Sequence, residues 1–102
     1  MATAKRGTEL VRESEVEAYL VKRVREVGGI TYKFVSPGHV GVPDRIIIIN
    51  GEVSFVEVKA PGKLPTALQL RELKRIAEHF VPAGWVSTKA HVDHLVSCLP
   101  TK

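Results

Sequence analysis

Two carboxylates and a lysine stand at spacings that could build a metal-dependent hydrolytic site. Asp44 precedes a run of four isoleucines, and Glu57 and Lys59 close the apolar run that follows. Asn50-Gly51 separates the two runs, and this dipeptide is preferred in type I′ hairpin turns because both central residues need positive φ. A hairpin turning there places Asp44 directly opposite Glu57 on one face of the sheet.

Like charges placed opposite each other destabilise a sheet, so the Asp44–Glu57 pair needs a compensating partner. A divalent cation is the usual one, and carboxylate oxygens suit Mg²⁺ or Mn²⁺. Lys59 lies two residues beyond Glu57 and therefore projects from the same face. An aspartate after a proline, or a Glu-x-Lys sequence, is by itself common in ordinary strands. Their combination, in a register set by an independent turn, favours a metal site.

The residues around this pair resemble a known family. Pro43-Asp44 followed by Glu57-Val58-Lys59 matches the PD-(D/E)xK nuclease motif. The longer strings from Gly41 to Arg45 and from Phe55 to Lys63 are similar to the virus-type replication-repair nuclease (VRR-NUC) domain. The resemblance extends from about Ser14 to Leu99, and its longer strings are much more specific than the short motif.

The resemblance implies a set of site residues and a cofactor. Asp44, Glu57 and the backbone carbonyl of Val58 would bind Mg²⁺ or Mn²⁺. Lys59 would either orient and deprotonate the attacking water or remain charged and stabilise the transition state.

Two further residues have competing interpretations. Gln69 could position the water or a phosphate oxygen, as the resemblance implies, or it could belong to a capping box with Thr66. Glu17 lies on the shoulder of the first helix, where the resembled superfamily often has an acid that assists the metal, and it could instead cap that helix with Ser14. Glu13 and Glu15 are the fallback candidates for that acid.

Several polar residues near Asp44 are candidates for contacting DNA. The breaker-rich loop after the first strand leads into the site, and an ordinary connecting loop is the alternative for each of its residues. The candidates are Lys33, Ser36, His39, Arg45 and Lys63.

The hydrophobic pattern predicts an α/β domain. A helical stripe through Val16, Leu20 and Val24 ends at Gly28-Gly29, and three strands follow. A second helix from Thr66 to about His79, a short strand and a last helix capped by Thr88 or Ser87 complete the order α-β-β-β-α-β-α. The apolar stripe of the second helix is expected to be Leu70, Leu73, Ile76, Ala77 and Phe80. This is the restriction-endonuclease-like core that the resemblance implies, with a central mixed sheet flanked by helices. Residues 1–13 are expected to form a flexible or partner-ordered tail, and residues 14–102 a single VRR-NUC-like domain.

Composition agrees with a polyanion-binding protein. The 102 residues carry a net charge of +4, and phosphate neutralisation supplies much of the affinity for DNA. The single cysteine, Cys98, excludes an internal disulfide and is expected to be a small buried residue. No apolar run is long enough to span a membrane and no targeting signal is seen, so a cytoplasmic protein is expected.

The sequence therefore predicts a metal-dependent, structure-selective DNA endonuclease. Stand-alone members of the resembled family act on branched DNA such as four-way junctions, and symmetric cutting of a junction needs two sites, which a homodimer supplies. A non-catalytic nucleic-acid-binding module on the same fold is the alternative. A sequence-specific restriction enzyme is disfavoured because no extra recognition elements are seen. Trp85 and Tyr19 are the candidates for the dimer surface.

Overall fold

The computed structural model describes residues 11–100, which contain three helices and four strands. The order agrees with the one predicted from the hydrophobic pattern. The elements are α1 (Glu13–Glu26), β1 (Ile30–Lys33), β2 (Arg45–Ile49), β3 (Glu52–Val58), α2 (Ala67–Ala77), β4 (Ala83–Val86) and α3 (Lys89–Ser97).

Helix α1 buries the predicted stripe but begins differently. Val16, Leu20 and Val24 are completely buried. Arg12 is the N-cap residue and no side chain caps the helix, so the predicted capping box from Ser14 to Glu17 is wrong. Most of the predicted tail (residues 1–10) lies outside the described residues, but Val11 already packs against the core. The domain therefore begins before residue 14.

The sheet is mixed, with strand order β1-β2-β3-β4. β1, β2 and β3 pair antiparallel, and β4 pairs parallel to β3 after the crossover through α2. Asn50 and Gly51 have φ values of 49° and 85°, as a type I′ turn requires. The observed pairs, Ile49 with Glu52 and Ile46 with Phe55, confirm the predicted hairpin register.

The two faces of the sheet are covered unequally. Ile47, Ile49, Val56 and Val58 point into a core that they share with α1 and α3, and all four are at most 4% exposed. The opposite face carries Ile46, Ile48 and Phe55, which are only half-buried, and other apolar residues that are exposed. Helices thus cover one face fully, whereas α2 packs mainly beside β4.

The C-terminal elements follow the predicted caps. Thr66 and Gln69 form the predicted capping box, and Thr88 caps α3 by accepting from the backbone N–H of His91. Two predictions here are wrong. The apolar stripe of α2 is not buried as a whole, because only Leu73 is buried while Leu70 and Phe80 are exposed. Cys98 is exposed, not buried. No helix within residues 11–100 is long and apolar enough to cross a membrane.

Candidate active site

Asp44 is fixed at the point where β2 begins. Pro43 before it is fully buried, and the backbone N–H of Phe34 donates to the Asp44 carbonyl at 2.8 Å. The carboxylate oxygen Oδ2 accepts from the backbone N–H of Val58 at 2.9 Å. The strand pairing ends at Arg45 and Val56, and the next pair in that register is Asp44 and Glu57. The side chain of Asp44 therefore bridges to β3 beside Glu57, as the register predicts.

Glu57 is the most unusual residue of the site. It is 2% exposed, and its Oε1 atom is buried without a hydrogen-bond partner among the described residues. The other oxygen, Oε2, lies 3.5 Å from the Lys59 amino nitrogen. Burial first, and then the charge of Asp44, raise the pKa of Glu57 to about 7, although Lys59 opposes the shift.

The donor set suits a hard cation. Asp44 and Glu57 bring two carboxylates together, and the orphan oxygen of Glu57 is a polar atom whose burial is costly unless a partner binds it. Within residues 11–100, no group of three or more histidine, cysteine, aspartate or glutamate side chains lies close enough to hold one ion. Mg²⁺ is commonly held by one or two carboxylates together with waters and substrate oxygens. The two residues therefore fit one such ion.

Glu17, the predicted additional acid, is engaged elsewhere. Its Oε2 accepts from the Arg45 guanidinium at 2.9 Å and from the Lys33 amino group at 3.1 Å. Arg45 also donates to the hydroxyl of Thr31 at 3.2 Å. Arg45 is 8% exposed and needs a counter-charge, which Glu17 supplies. The alternatives Glu13 and Glu15 are both exposed.

The Glu17–Arg45 pair predicts a stability effect. Burial by itself would raise the pKa of Glu17, but the hydrogen bonds from Arg45 and Lys33 lower it below its ordinary value. The pair therefore stabilises the fold above about pH 4.5, and this contribution is lost as the pH falls through the lowered pKa. We expect Glu17→Gln to lower the free energy of unfolding by about 2 kcal/mol at pH 7, since Arg45 loses its charged partner. Urea unfolding measures the loss, with exposed Glu15→Gln as the control. An unchanged free energy of unfolding would contradict the role of Glu17 as the charged partner of Arg45.

Gln69 lies at the start of α2, with its side chain used in the cap. The side-chain Oε1 of Gln69 accepts from the backbone N–H of Thr66 at 2.9 Å, and the backbone N–H of Gln69 donates to the Thr66 hydroxyl at 3.1 Å. The same helix packs tightly on the loop before Asp44. A Cβ added to Gly41, whose φ is +88°, would come within 2.9 Å of Leu68. The loop and the helix are therefore closely fitted around the site.

Sequence reasoning missed Glu72, a 7% exposed residue of α2. Its carboxylate is 3.0 Å from the His39 ring and accepts from Arg75 at 3.0 Å. The hydrogen bond with His39 contributes most to lowering the pKa of Glu72. The burial of Glu72 could have been predicted from its position between the apolar residues of the predicted α2 stripe. This contact ties the loop before Asp44 to α2.

The structure places the predicted DNA-contacting residues in different environments. Arg45 is buried in its pair with Glu17, so it is not free to reach a phosphate without breaking that pair. His39 is exposed but bonded to Glu72. Lys33 is well exposed beside Glu17. Lys63 is exposed in the turn that begins at Ala60, and Ser36 is half-buried at the start of the loop turn.

A mixed sheet with an aspartate, a glutamate and a lysine gathered where β2 and β3 meet is the arrangement of a PD-(D/E)xK nuclease. The comparisons with known proteins agree. "Putative nuclease p44" of Acyrthosiphon pisum secondary endosymbiont phage 1 is 57% identical over 68 residues, which are 66% of this chain and 73% of that protein. A solved structure described as "VRR_NUC domain" matches with a TM-score of 0.79 and 30% identity, covering 86% of this chain and 97% of its own. No protein-family model matches the chain.

The chain therefore belongs to the VRR-NUC family of nucleases. This membership confirms the family resemblance and the fold class predicted from the sequence.

Proposed function

We propose that the protein is a Mg²⁺- or Mn²⁺-dependent endonuclease that hydrolyses phosphodiester bonds in DNA. The observation that carries this proposal is the pairing of half-buried Asp44 with buried Glu57, one oxygen of which has no partner among the described residues. A stable fold gains nothing from such a pair, because burial and like charge both work against it. A site that binds a cation gains two hard ligands.

Each residue of the site has a role in this proposal. Asp44 and Glu57, with the backbone carbonyl of Val58, hold the ion. When bound, the ion supplies Lewis acidity at the scissile phosphate and lowers the pKa of a ligated water. Lys59 pairs with Glu57 in the structure and would stabilise the negative charge that develops on the phosphate.

Gln69 is proposed to position the water or a phosphate oxygen through its NH₂ group, while its carbonyl oxygen stays in the cap. Gln69→Glu tests this division of roles. Glutamate retains the accepting oxygen of a capping box, so thermal stability should change little. It has no NH₂ donor at neutral pH, so kcat should fall by about tenfold or more. Parallel measurements of Tm and kcat check both halves, and an unchanged kcat would assign Gln69 to the cap alone.

We propose branched DNA, such as four-way junctions, as the substrate. A domain of this size has little room for reading bases, so backbone contacts and DNA shape should dominate. The net charge of +4 supports binding to phosphates. The exposed Lys33 and Lys63, together with His39 and Ser36, are proposed contacts. Two sites are needed to cut a junction symmetrically, so we also propose a homodimer, working in the cytoplasm of a bacterial or phage-infected cell.

One panel of reactions tests the proposed function. Labelled four-way junctions, flaps, single strands and plain duplex are incubated with the protein in Mg²⁺, in Mn²⁺ and in EDTA. We expect cleavage only with the ions, and faster cleavage of junctions than of duplex. Binding without cleavage under every condition would instead show a nucleic-acid-binding module.

A further inference from the structure

The loop that leads to Asp44 is joined to α2 through one nearly buried carboxylate. Oε1 of Glu72 lies 3.0 Å from Nε2 of His39, and Oε2 accepts from the Arg75 guanidinium at 3.0 Å. Arg75 lies three residues further along the same helix, whereas His39 belongs to the loop. The side chain of Glu72 is only 9% exposed, but that of His39 is 46% exposed. Glu72 therefore holds one edge of an imidazole ring that is otherwise partly open to solvent.

The backbone of this loop has contacts of its own. The backbone N–H of His39 donates to the Ser36 carbonyl at 3.1 Å, which closes a turn. At Gly41 the chain runs so close to α2 that an added Cβ would come within 2.9 Å of Leu68 and 3.4 Å of Glu72. Because these contacts already fix the loop against α2, the bond from Glu72 mainly determines how the His39 ring is oriented.

The protonation of the two groups follows from their contact. The hydrogen bond with His39 contributes most to lowering the pKa of Glu72, so the carboxylate is ionised at neutral pH and can only accept. Nε2 of His39 must then carry a proton. If a second anion faces Nδ1, the imidazolium form is favoured, because it donates to a negative group on each side. The ring is therefore prepared to bind an anion on its exposed side.

We propose that Glu72 is a positioning residue, which orients His39 so that Nδ1 donates to a backbone phosphate of bound DNA. This inference rests on the proposed function, because that function supplies DNA as the ligand. The scissile phosphate is assigned there to the ion and Lys59, so His39 contacts a neighbouring phosphate. A donor whose orientation is already fixed loses less side-chain entropy on binding, and this saving is what Glu72 contributes.

The position of Glu72 on α2 agrees with this role. Gln69 lies three residues earlier, so the two side chains project from the same side of the helix. Gln69 is the residue of α2 that is proposed to reach the water or a phosphate oxygen. His39, for its part, lies five residues before Asp44 in the loop that leads into the site. The loop and α2 therefore border the site together, and we place the neighbouring phosphate at this border.

Binding of a labelled four-way junction in Ca²⁺, followed by fluorescence anisotropy, tests this role without turnover. His39→Ala should raise the dissociation constant about tenfold, since it removes a charge-assisted hydrogen bond. Glu72→Gln should raise it about fivefold, because a neutral amide no longer faces the ring with a negative charge. Simple electrostatics predicts the opposite sign, since the loss of a carboxylate favours binding to a polyanion. Glu78→Gln is the matched control, because it removes an exposed carboxylate at the end of the same helix, and its affinity should be unchanged or slightly higher.

A double variant separates positioning from a role in folding. If Glu72 acts through His39, Glu72→Gln should weaken binding by less than about twofold once residue 39 is alanine. A residue that only maintains the fold would weaken binding equally in both backgrounds. Circular dichroism and thermal unfolding check that each variant is folded, and Glu72→Gln keeps the size of the side chain.

Steady-state cleavage gives a second readout. A contact with a phosphate other than the scissile one is the same in the ground state and in the transition state. Its loss should therefore raise KM and leave kcat within about twofold of the wild-type value. Displacement of the loop would instead move Asp44 and lower kcat. We expect the first pattern for both His39→Ala and Glu72→Gln.

The outcomes distinguish this inference from the proposed function. Weaker, non-additive binding by the two variants supports the inference even if no DNA is cut, in which case only the proposed hydrolysis fails. Unchanged or tighter binding by either variant overturns the inference even if the wild type cuts junctions. Additive effects in the double variant, or a fall in kcat with KM unchanged, also overturn it.

Discussion

Asp44→Asn and Lys59→Ala are each expected to lower the rate of DNA cleavage by about 10³-fold or more. Asn replaces one of the two proposed carboxylate ligands, and Ala removes the Lys59 ammonium group that faces Glu57. Losing a preorganised charge or a metal ligand at a hydrolytic site has effects of this size. Asn can still accept the hydrogen bond from the Val58 N–H, so the fold around residue 44 should be kept.

The measurement is a single-turnover cleavage rate at saturating protein with a four-way junction and Mg²⁺. Lys74→Ala is the control, because it removes an exposed positive charge from α2 outside the site. Fluorescence anisotropy in Ca²⁺ should show that both site variants still bind DNA. Either variant cutting at close to the wild-type rate would refute the assignment of these residues.

Glu57→Gln is expected to make the metal-free protein more stable. Folding raises the pKa of Glu57 from 4.5 to about 7. The residue therefore favours the folded state most at low pH, where its carboxyl group is protonated in both states and no charge has to be buried. That contribution is lost as the pH rises from about 4.5 through the folded-state pKa near 7. At pH 8 the neutral amide should therefore raise the free energy of unfolding by up to about 3 kcal/mol.

Urea unfolding in EDTA between pH 5 and pH 8 measures this effect, with Glu52→Gln on the same strand as the control. The gain should shrink towards pH 5, since the wild-type carboxyl is then protonated in the folded state. Adding Mn²⁺ should reverse the order of stability at pH 8, because only the wild type retains both proposed carboxylate ligands. A pH-independent effect, or a loss of stability at pH 8 in EDTA, would contradict the view that burial and the charge of Asp44 destabilise the ionised carboxylate of Glu57.

The hairpin and the Asp44–Glu57 pair were predictable because their signals are local. Asn50-Gly51 fixes the turn, and the turn fixes the register of every pair that follows. The Thr66–Gln69 and Thr88 caps were predictable for the same reason, since each spans one turn of chain.

The partner of Glu17 was not predictable, because it depends on tertiary contacts. Helical periodicity indicates the side of α1 on which Glu17 lies, but not that Arg45 from β2 reaches it first. The contact between His39 and Glu72 is a further example, since it joins residues 33 positions apart.

The prediction that α2 buries its apolar stripe was wrong for a different reason. Leu70 and Phe80 follow the spacing of a buried helix face, yet no residue between 11 and 100 buries them. A pattern in one sequence marks apolar surface without specifying whether the same chain or a second copy buries it.

Binding of Mn²⁺ tests most directly whether Asp44 and Glu57 together hold one divalent ion. Electron paramagnetic resonance at pH 8 counts the free ion as protein is added, without DNA or turnover. We expect one bound Mn²⁺ per chain in the wild type and a large loss of binding in Asp44→Asn and in Glu57→Gln. Equal binding by the wild type and both variants, or no binding by the wild type at millimolar Mn²⁺, would contradict it.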